Sequence, residues 1–263
     1  MKKTILITGA SSGIGEALAV EWSKQKHIRL ILAARDLERL EKTREKCVSN
    51  GAEAIVIGLD LASGHAIDKT VNEIEARFSA IDIVVHNGGI SQRSLVKDTV
   101  MAVYRRLMEV NFMGTVHLTK LLLPRMLERK SGHFVVVTSV VGKIGTPVRS
   151  GYAASKHALH GFFDSLRAEV CHSGLKVTIV CPGYVRTNLS LNALKADGAL
   201  HNQMDEATAK GLDPAIFAKK LITAVEAGKE EVYIGGFREV FGIYLKRFFP
   251  RVLSRIVSKT KVT

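Results

Sequence analysis

The stretch TGASSGIG, residues 8–15, follows a short apolar run and precedes a helical pattern that ends near Lys26. Glycine at positions 9, 13 and 15 permits a tight turn, lets backbone N–H groups approach a ligand, and lets a helix pack closely on a strand. The helix N-terminus created in this way binds anions such as a pyrophosphate. This strand–turn–helix context predicts a dinucleotide-binding loop.

Two further features concern the ligand of this loop. Ser11 and Ser12 can donate hydroxyl hydrogen bonds, although either could instead be an ordinary helix N-cap. About 20 residues on, where an NAD-binding loop needs an acidic residue, the second strand ends in Arg35 and Asp36. An arginine pairs with a 2′-phosphate, which favours NADP(H). Asp36 leaves NAD(H) open as the alternative cofactor, or it caps the next helix.

Apolar, β-branched runs recur with helical patterns between them. They span residues 4–8, 29–34, 54–59, 81–85, 134–139, 177–180 and 231–234. Runs without polar alternation indicate strands covered on both faces. The pattern predicts one doubly wound, Rossmann-type α/β domain over residues 1–236, with a seven-stranded parallel sheet flanked by helices. Residues 184–211 lack a strict period and are interpreted either as a mobile lid over a site or as a surface insertion that only packs.

Composition limits the classes of protein to which the chain can belong. Its 263 residues are 46% hydrophobic and 24% charged, which suits one large folded domain. The apolar run near the N-terminus breaks at Gly9, so we expect it to be part of the fold rather than a secretion signal. Three cysteines without metal-binding spacing, Cys47, Cys171 and Cys181, predict free thiols in a reducing cytoplasm and no metal site.

The charge of the chain is concentrated at its C-terminus. The formal net charge is +13, and residues 237–263 hold seven basic residues against one acid, interleaved with aromatic and aliphatic side chains. Such a basic amphipathic segment either contacts a membrane peripherally or packs on the domain or a partner subunit. Pro250 would interrupt any single long helix there. We expect no nucleic-acid partner, because the segment contains no recognised nucleic-acid-binding module.

A tyrosine and a lysine are the strongest candidates for chemistry. Ser139 ends the fifth predicted strand, and Tyr152 and Lys156 follow at a spacing of four residues. On a helix this pair shares one face, separated by about 6 Å of rise. A nearby ammonium is expected to lower the pKa of the phenol from about 10 towards neutrality.

Taken together, the motifs resemble those of the short-chain dehydrogenase/reductase family over essentially the whole chain. The matching features, in order, are Thr8–Gly15 as TGxxxGxG, Asp60-Leu61, Asn87-Gly88, Asn111, Ser139, Tyr152–Lys156 as YxxxK, and Pro182-Gly183 with Thr187. The chain departs from the family at His86-Asn87-Gly88-Gly89, where NNAG is common. This departure concerns packing near the adenine ribose.

The resemblance implies a role for each matching residue. Tyr152 is the general acid or base, Ser139 polarises the carbonyl, and Lys156 lowers the phenol pKa and binds the nicotinamide ribose. Asn111 holds a water of a proton relay, unless it only stabilises a helix distortion. The implied cofactor-binding set comprises Gly9, Ser11, Gly13, Ile14, Gly15, Arg35, Asp60, Leu61, Asn87, Gly88, Tyr152, Lys156, Pro182, Gly183, Val185 and Thr187.

The function implied is an NADP(H)-dependent oxidoreductase that interconverts a carbonyl and a secondary alcohol. Residues 90–95, 140–148 and 184–211 are expected to form the substrate walls, and their apolar content favours an apolar substrate. The resemblance also implies a homodimer or homotetramer built through the helices that carry Asn111 and Tyr152. The alternative is a dinucleotide-binding scaffold or redox-sensing regulator without turnover.

Overall fold

The computed structural model describes residues 2–259, which form seven parallel strands in the order β3-β2-β1-β4-β5-β6-β7. The strands are β1 (Lys3–Thr8), β2 (Ile28–Ala34), β3 (Glu53–Gly58), β4 (Ile83–His86), β5 (Gly132–Val137), β6 (Leu175–Pro182) and β7 (Glu231–Ile234). Every neighbouring pair is parallel. The predicted fold class is therefore confirmed, and the strand boundaries differ from the predicted ones by a few residues.

Helices connect the strands and cover the sheet. They are α1 (Gly13–Trp22), α2 (Leu37–Ser49), α3 (Gly64–Arg77), α4 (Met101–Met108), α5 (Gly114–Arg129), α6 (Ser150–Glu169), α7 (Glu206–Ala209), α8 (Pro214–Glu226), α9 (Phe237–Phe248) and α10 (Pro250–Lys259). A π-helical turn, Glu109–Met113, joins α4 to α5, and a 3-10 turn, Val140–Gly142, follows β5.

One helical boundary was predicted wrongly. Helix α1 ends at Trp22 rather than near Lys26, because the chain turns back and His27 adopts a left-handed backbone with φ +62°.

Two hydrophobic cores lie on opposite faces of the sheet. In β1, Ile5 and Ile7 pack into the core that contains α1 and α8, whereas Leu6 packs into the core that contains α3, α5 and α6. Successive side chains of a strand point to opposite faces, so burial of both faces requires an uninterrupted apolar run. This requirement explains why the strands were recognisable in the sequence.

The strand order reverses between β1 and β4, and there the two carboxyl ends are tied together. The backbone N–H groups of Asn87 and Gly88 donate to Thr8 Oγ1 at 3.0 and 2.9 Å. The Asn87 amide donates to the carbonyls of Thr8 and Gly9 at 3.0 and 3.2 Å. A crevice at such a reversal is where open α/β sheets bind ligands.

The C-terminal segment forms a helical hairpin. Helix α9 ends at Phe248, and Pro250 begins α10, where its missing N–H leaves no hydrogen bond unmade. Leu253 of α10 packs with Val140 and Ile144, which follow β5. Residues 260–263 of the predicted extension lie outside the described residues. Within residues 2–259, no helix is both long and apolar enough to cross a bilayer.

Candidate active site

The glycine-rich loop has the shape that its sequence predicts. Gly9 and Gly13 adopt left-handed backbones with φ +65° and +59°. A Cβ atom at Gly15 would lie 2.2 Å from the Gly9 carbonyl oxygen, so any side chain there would separate α1 from the turn. Ser12 occupies the N-cap position of α1, but its hydroxyl makes no capping hydrogen bond. The N-terminus of α1 thus meets the cavity with free donors, as anion binding requires.

One cavity of about 850 Å³ brings together the predicted residues from both ends of the chain. All predicted cofactor-binding and catalytic residues line it except Gly15, which is covered by the turn, and Asn111, which lies behind the wall. The three predicted substrate segments also contribute, with Ile90, Val141, Ile144 and Leu194 among the lining side chains. Its volume is within the range of small-molecule and cofactor sites.

The end of the cavity at β2 is cationic. The Asp36 carboxylate caps α2 by accepting from the Arg39 backbone N–H at 3.0 Å, and it pairs with Arg39 Nε at 3.3 Å. Arg35 and Arg39 both line the cavity. Sequence reasoning missed Arg39, although its place in the first turn of α2, four residues after Arg35, was a readable signal. Since Asp36 is held by the helix N-terminus and by Arg39, the local charge favours an anionic group.

The departure at His86 is accommodated in the core. His86 Nε2 lies 2.9 Å from Thr119 Oγ1, and the ring stacks on Phe134 at 5.9 Å between centroids. Burial lowers the pKa of His86 to about 3, so the imidazole is neutral. His86 does not line the cavity, so the substitution affects packing behind the site. A Cβ at Gly88 would lie 2.7 Å from Leu61 Cδ1, which fills the space that an alanine would need.

Ser139, Tyr152 and Lys156 meet at the other end of the cavity. Ser139 Oγ accepts from the Val141 N–H at 3.1 Å, which fixes the serine at the start of the 3-10 turn. Tyr152 and Lys156 lie on the buried face of α6, with Lys156 Nζ 5.9 Å from the centre of the phenol ring. The Lys156 ammonium donates to the Val137 carbonyl at 2.9 Å.

The protonation of this group differs from the prediction. Burial raises the pKa of Tyr152, and it outweighs the lowering by the hydrogen bond with Ser139 and by the charges of Arg149 and Arg93. The groups that lower this pKa are thus Ser139, Arg149 and Arg93, whereas the Lys156 ammonium donates to the Val137 carbonyl. Burial lowers the pKa of Lys156 itself to about 8. At neutral pH the phenol thus carries its proton.

Asn111 joins the loop after β4 to α6 from within the π-helical turn. Its side-chain oxygen accepts from the Ile90 N–H at 2.8 Å, and its amide donates to the Ile90 carbonyl at 3.0 Å and to Ser155 Oγ at 2.9 Å. A Cβ at Gly89 would lie 3.1 Å from Asn111 Oδ1 and 3.6 Å from Lys156 Nζ. Asn111 therefore links the π-helical turn to the loop after β4 and to α6, and a side chain at Gly89 would contact both Asn111 and Lys156.

A buried ion network, which sequence reasoning missed, adjoins the tyrosine. Arg93 Nε donates to both Asp205 carboxylate oxygens at 3.1 and 3.0 Å, and Arg93 Nη2 makes a further contact with Oδ2. Arg149 Nη2 donates to Asp205 Oδ2 at 3.0 Å, and its Nη1 to the Tyr184 hydroxyl at 3.3 Å. Through Asp205 and Tyr184, the network attaches residues 184–211 to Arg93 and Arg149, which also line the cavity. No sequence signal links residues so far apart.

Comparisons with known proteins agree with this geometry. A family model described as short chain dehydrogenase matches residues 3–197. The chain is 40% identical over 260 residues to the dehydrogenase/reductase SDR family member 7B of Rattus norvegicus, covering 97% of this chain and 80% of that protein.

Two solved structures share the fold. An alcohol dehydrogenase from Thermococcus sibiricus complexed with 5-hydroxy-NADP superposes with a TM-score of 0.77 at 24% identity, covering 90% of this chain and 97% of that chain. A short-chain dehydrogenase/reductase from Burkholderia phymatum in complex with NAD superposes with a TM-score of 0.83 at 21% identity, covering 100% of this chain and 96% of that chain.

Proposed function

Since the chain belongs to the short-chain dehydrogenase/reductase family and is an NAD(P)-dependent oxidoreductase, we propose that it uses NADP(H) to interconvert a carbonyl and a secondary alcohol. The observation that carries this proposal is that Tyr152, Ser139 and Lys156 line the same cavity as the glycine-rich loop. A scaffold that only bound a dinucleotide would not need this second group of residues.

The residues present fit a dinucleotide, because Gly9, Gly13 and Ile14 line the cavity where α1 begins, and a helix N-terminus there can receive a pyrophosphate. The glycine-rich loop and Ser11 would hold the phosphates, and Asp60, Leu61 and Asn87 would border the adenosine. Val185 and Thr187 would bind the carboxamide, beside the turn shaped by Pro182 and Gly183. When bound, the nicotinamide supplies or accepts the hydride.

The chain's own residues would supply the proton and the orientation. In reduction, Tyr152 donates its phenolic proton to the carbonyl oxygen, and Ser139 donates a hydrogen bond to the same atom. Lys156, held by the Val137 carbonyl, would bind the nicotinamide ribose and help to return a proton to Tyr152. Asn111 would support this relay from behind. The raised pKa of Tyr152 suits the acid role, because the phenol retains its proton near neutrality.

A screen of carbonyl compounds with NADPH and NADH tests the proposed function. We expect NADPH oxidation with at least one class of apolar ketone or aldehyde, because Val140, Val141 and Ile144 form an apolar wall beside Ser139. Tight NADPH binding without turnover on any compound, in either direction, would contradict the proposal. That outcome would favour the alternative, a dinucleotide-binding scaffold or redox-sensing regulator.

The preference for NADP(H) rests on two guanidinium groups. Replacing both Arg35 and Arg39 with serine should lower the ratio of kcat/KM for NADPH to that for NADH by about tenfold to a hundredfold, since hydrogen bonds to a charged group typically contribute about 1.5–3 kcal/mol. The matched control is Arg44→Ser, which removes an arginine that pairs with Glu41 on the same helix outside the cavity. An unchanged cofactor ratio in the double variant would contradict the preference.

The assembly and cellular context form part of the same proposal. Residues 1–236 would be the catalytic domain, and residues 237–263 a C-terminal extension. We place the chain in a homodimer or homotetramer through α5, α6 and the π-helical turn, where Met113 and Leu127 are exposed. A reducing cytoplasm agrees with the three free cysteines, of which Cys47 and Cys181 are buried.

A further inference from the structure

The hairpin formed by α9 and α10 exposes an unusual number of aromatic rings. On α9, Phe237, Phe241, Tyr244 and Phe248 lie at helical spacings on one exposed side, and Phe237 and Phe248 are 82% and 69% exposed. The rings of Phe237 and Phe241 stack on each other at 5.7 Å. Phe249, which lies between α9 and α10, and Val252 and Ile256 of α10 are also exposed. Apolar side chains concentrated in this way mark an interaction surface.

The opposite sides of both helices are already used by the domain. A Cβ at Gly242 of α9 would lie 3.5 Å from Ile144 Cδ1 and 4.0 Å from Leu253 Cδ1. Lys246 Nζ donates to the Lys143 carbonyl at 2.7 Å. These contacts attach the hairpin to the segment after Ser139, so the exposed rings are held outward by a fixed support.

The charge of the hairpin indicates the nature of its partner. Its basic residues between positions 237 and 259 are all exposed, and apart from Lys246, which donates to the Lys143 carbonyl, they are Arg238, Arg247, Arg251, Arg255 and Lys259. Its one acidic residue in that range, Glu239, is turned inward, where it accepts from the backbone N–H groups of Tyr184 and Gly236. The outer surface therefore combines aromatic side chains with positive charge.

We propose that this hairpin docks the protein on the surface of an anionic lipid bilayer, with its exposed aromatic rings in the interface and its basic residues facing the headgroups. Aromatic rings prefer the interfacial region, and each lysine or arginine near an anionic leaflet strengthens binding by about fivefold.

Docking would bring the cavity close to the bilayer. Glu239 of α9 and Ile144, which packs against Leu253 of α10, both line the cavity. An apolar carbonyl compound dissolved in lipid would then reach the site without passing through bulk water. This last step rests on the proposed function, whereas bilayer docking itself does not.

Vesicle sedimentation of the full chain tests the docking. We expect the protein to pellet with vesicles that contain phosphatidylserine, far less with phosphatidylcholine alone, and less as salt is raised. Two double variants, Phe237→Ser with Phe241→Ser and Arg251→Glu with Arg255→Glu, should each lower the partition coefficient by about tenfold or more.

The matched control is a triple variant on α8, Ile216→Ser with Lys219→Glu and Lys220→Glu. It changes one exposed apolar and two exposed basic residues away from the hairpin, and it should pellet like the unchanged protein. Far-UV circular dichroism and NADPH binding confirm that each variant is folded.

Three results would overturn the docking. They are failure of the unchanged protein to pellet with anionic vesicles, pelleting of the hairpin variants at the unchanged level, and an equal loss in the α8 control. A change of oligomeric state in the phenylalanine variant, with unchanged pelleting, would assign the rings to a second copy of the chain. NADPH turnover on a water-soluble carbonyl compound, measured without vesicles, tests the proposed function separately.

Discussion

Tyr152→Phe is expected to lower turnover by about 10²–10⁴-fold, the contribution typical of a positioned general acid or base. The substitution removes one hydroxyl and keeps the ring, which is buried beside Val103 and Leu107. NADPH affinity should change by less than about tenfold, because a single hydrogen bond contributes about 1 kcal/mol. Steady-state rates on the best carbonyl compound of the screen, with NADPH titrations followed by fluorescence, measure both quantities.

Tyr184→Phe is the matched control for this substitution. Tyr184 also lines the cavity, and its hydroxyl accepts from Arg149 rather than contacting Ser139. Its loss should reduce turnover far less than the loss of the Tyr152 hydroxyl. Full turnover by Tyr152→Phe across the carbonyl panel would contradict the assignment of Tyr152 as the acid.

The same tyrosine determines the pH dependence of the two directions. Carbonyl reduction needs the protonated phenol, and burial raises the pKa of Tyr152. Reduction should therefore persist through neutral pH and fall only under alkaline conditions. Alcohol oxidation needs the phenolate, so its rate should rise with pH over the same alkaline range. In Tyr152→Phe this opposite dependence should disappear from the residual activity.

The sequence was sufficient for the sheet and for most of the cavity lining, for a physical reason. Strands buried on both faces require unbroken apolar runs, and position 15 requires glycine because a Cβ atom there would lie 2.2 Å from the Gly9 carbonyl oxygen. Such constraints act on neighbouring residues, so they leave a local pattern. The parallel order then brings Ser139, Asn87 and Gly9 to one edge of the sheet.

Contacts between distant segments left no such pattern. The spacing of Tyr152 and Lys156 placed both on one face of α6, but it could not show that the ammonium donates to Val137 on β5. Likewise, the sequence could not show that the Asp36 carboxylate caps α2 and pairs with Arg39. In both cases a partner outside the motif determined where the charged group points.

The Arg93–Asp205–Arg149 network is the clearest example of such a partner, and its central residue gives the largest expected effect on stability. Asp205→Asn should lower the free energy of unfolding by about 3–5 kcal/mol, the usual result of removing one member of a buried ion pair. The carboxylate is 1% exposed, and each arginine side chain is 5% exposed. The amide keeps the size of the carboxylate but leaves two buried guanidinium groups without a counter-charge.

Glu206→Gln is the matched control, because it makes the same chemical change at the next residue. Glu206 is exposed and pairs with Lys210, the C-cap residue of α7, and such a solvent-exposed pair contributes little to stability. Urea unfolding of the two variants and the unchanged protein measures the difference. Equal midpoints for Asp205→Asn and Glu206→Gln would show that the network does not stabilise the fold.

The pH dependence of this loss identifies its electrostatic origin. Burial favours a higher pKa for Asp205, but the hydrogen bonds and charges of Arg93 and Arg149 outweigh it and hold the pKa below its ordinary value. A carboxyl whose pKa is lower in the folded state than in the unfolded state stabilises the fold at pH values above its unfolded-state pKa of about 4. This stabilisation is lost as the pH falls through the pKa of the folded state. The stability gap between the unchanged protein and Asp205→Asn should therefore be full at neutral pH and shrink below about pH 4. A gap that stays constant down to the pH of acid unfolding would mean that the variant fails through packing rather than through the loss of charge.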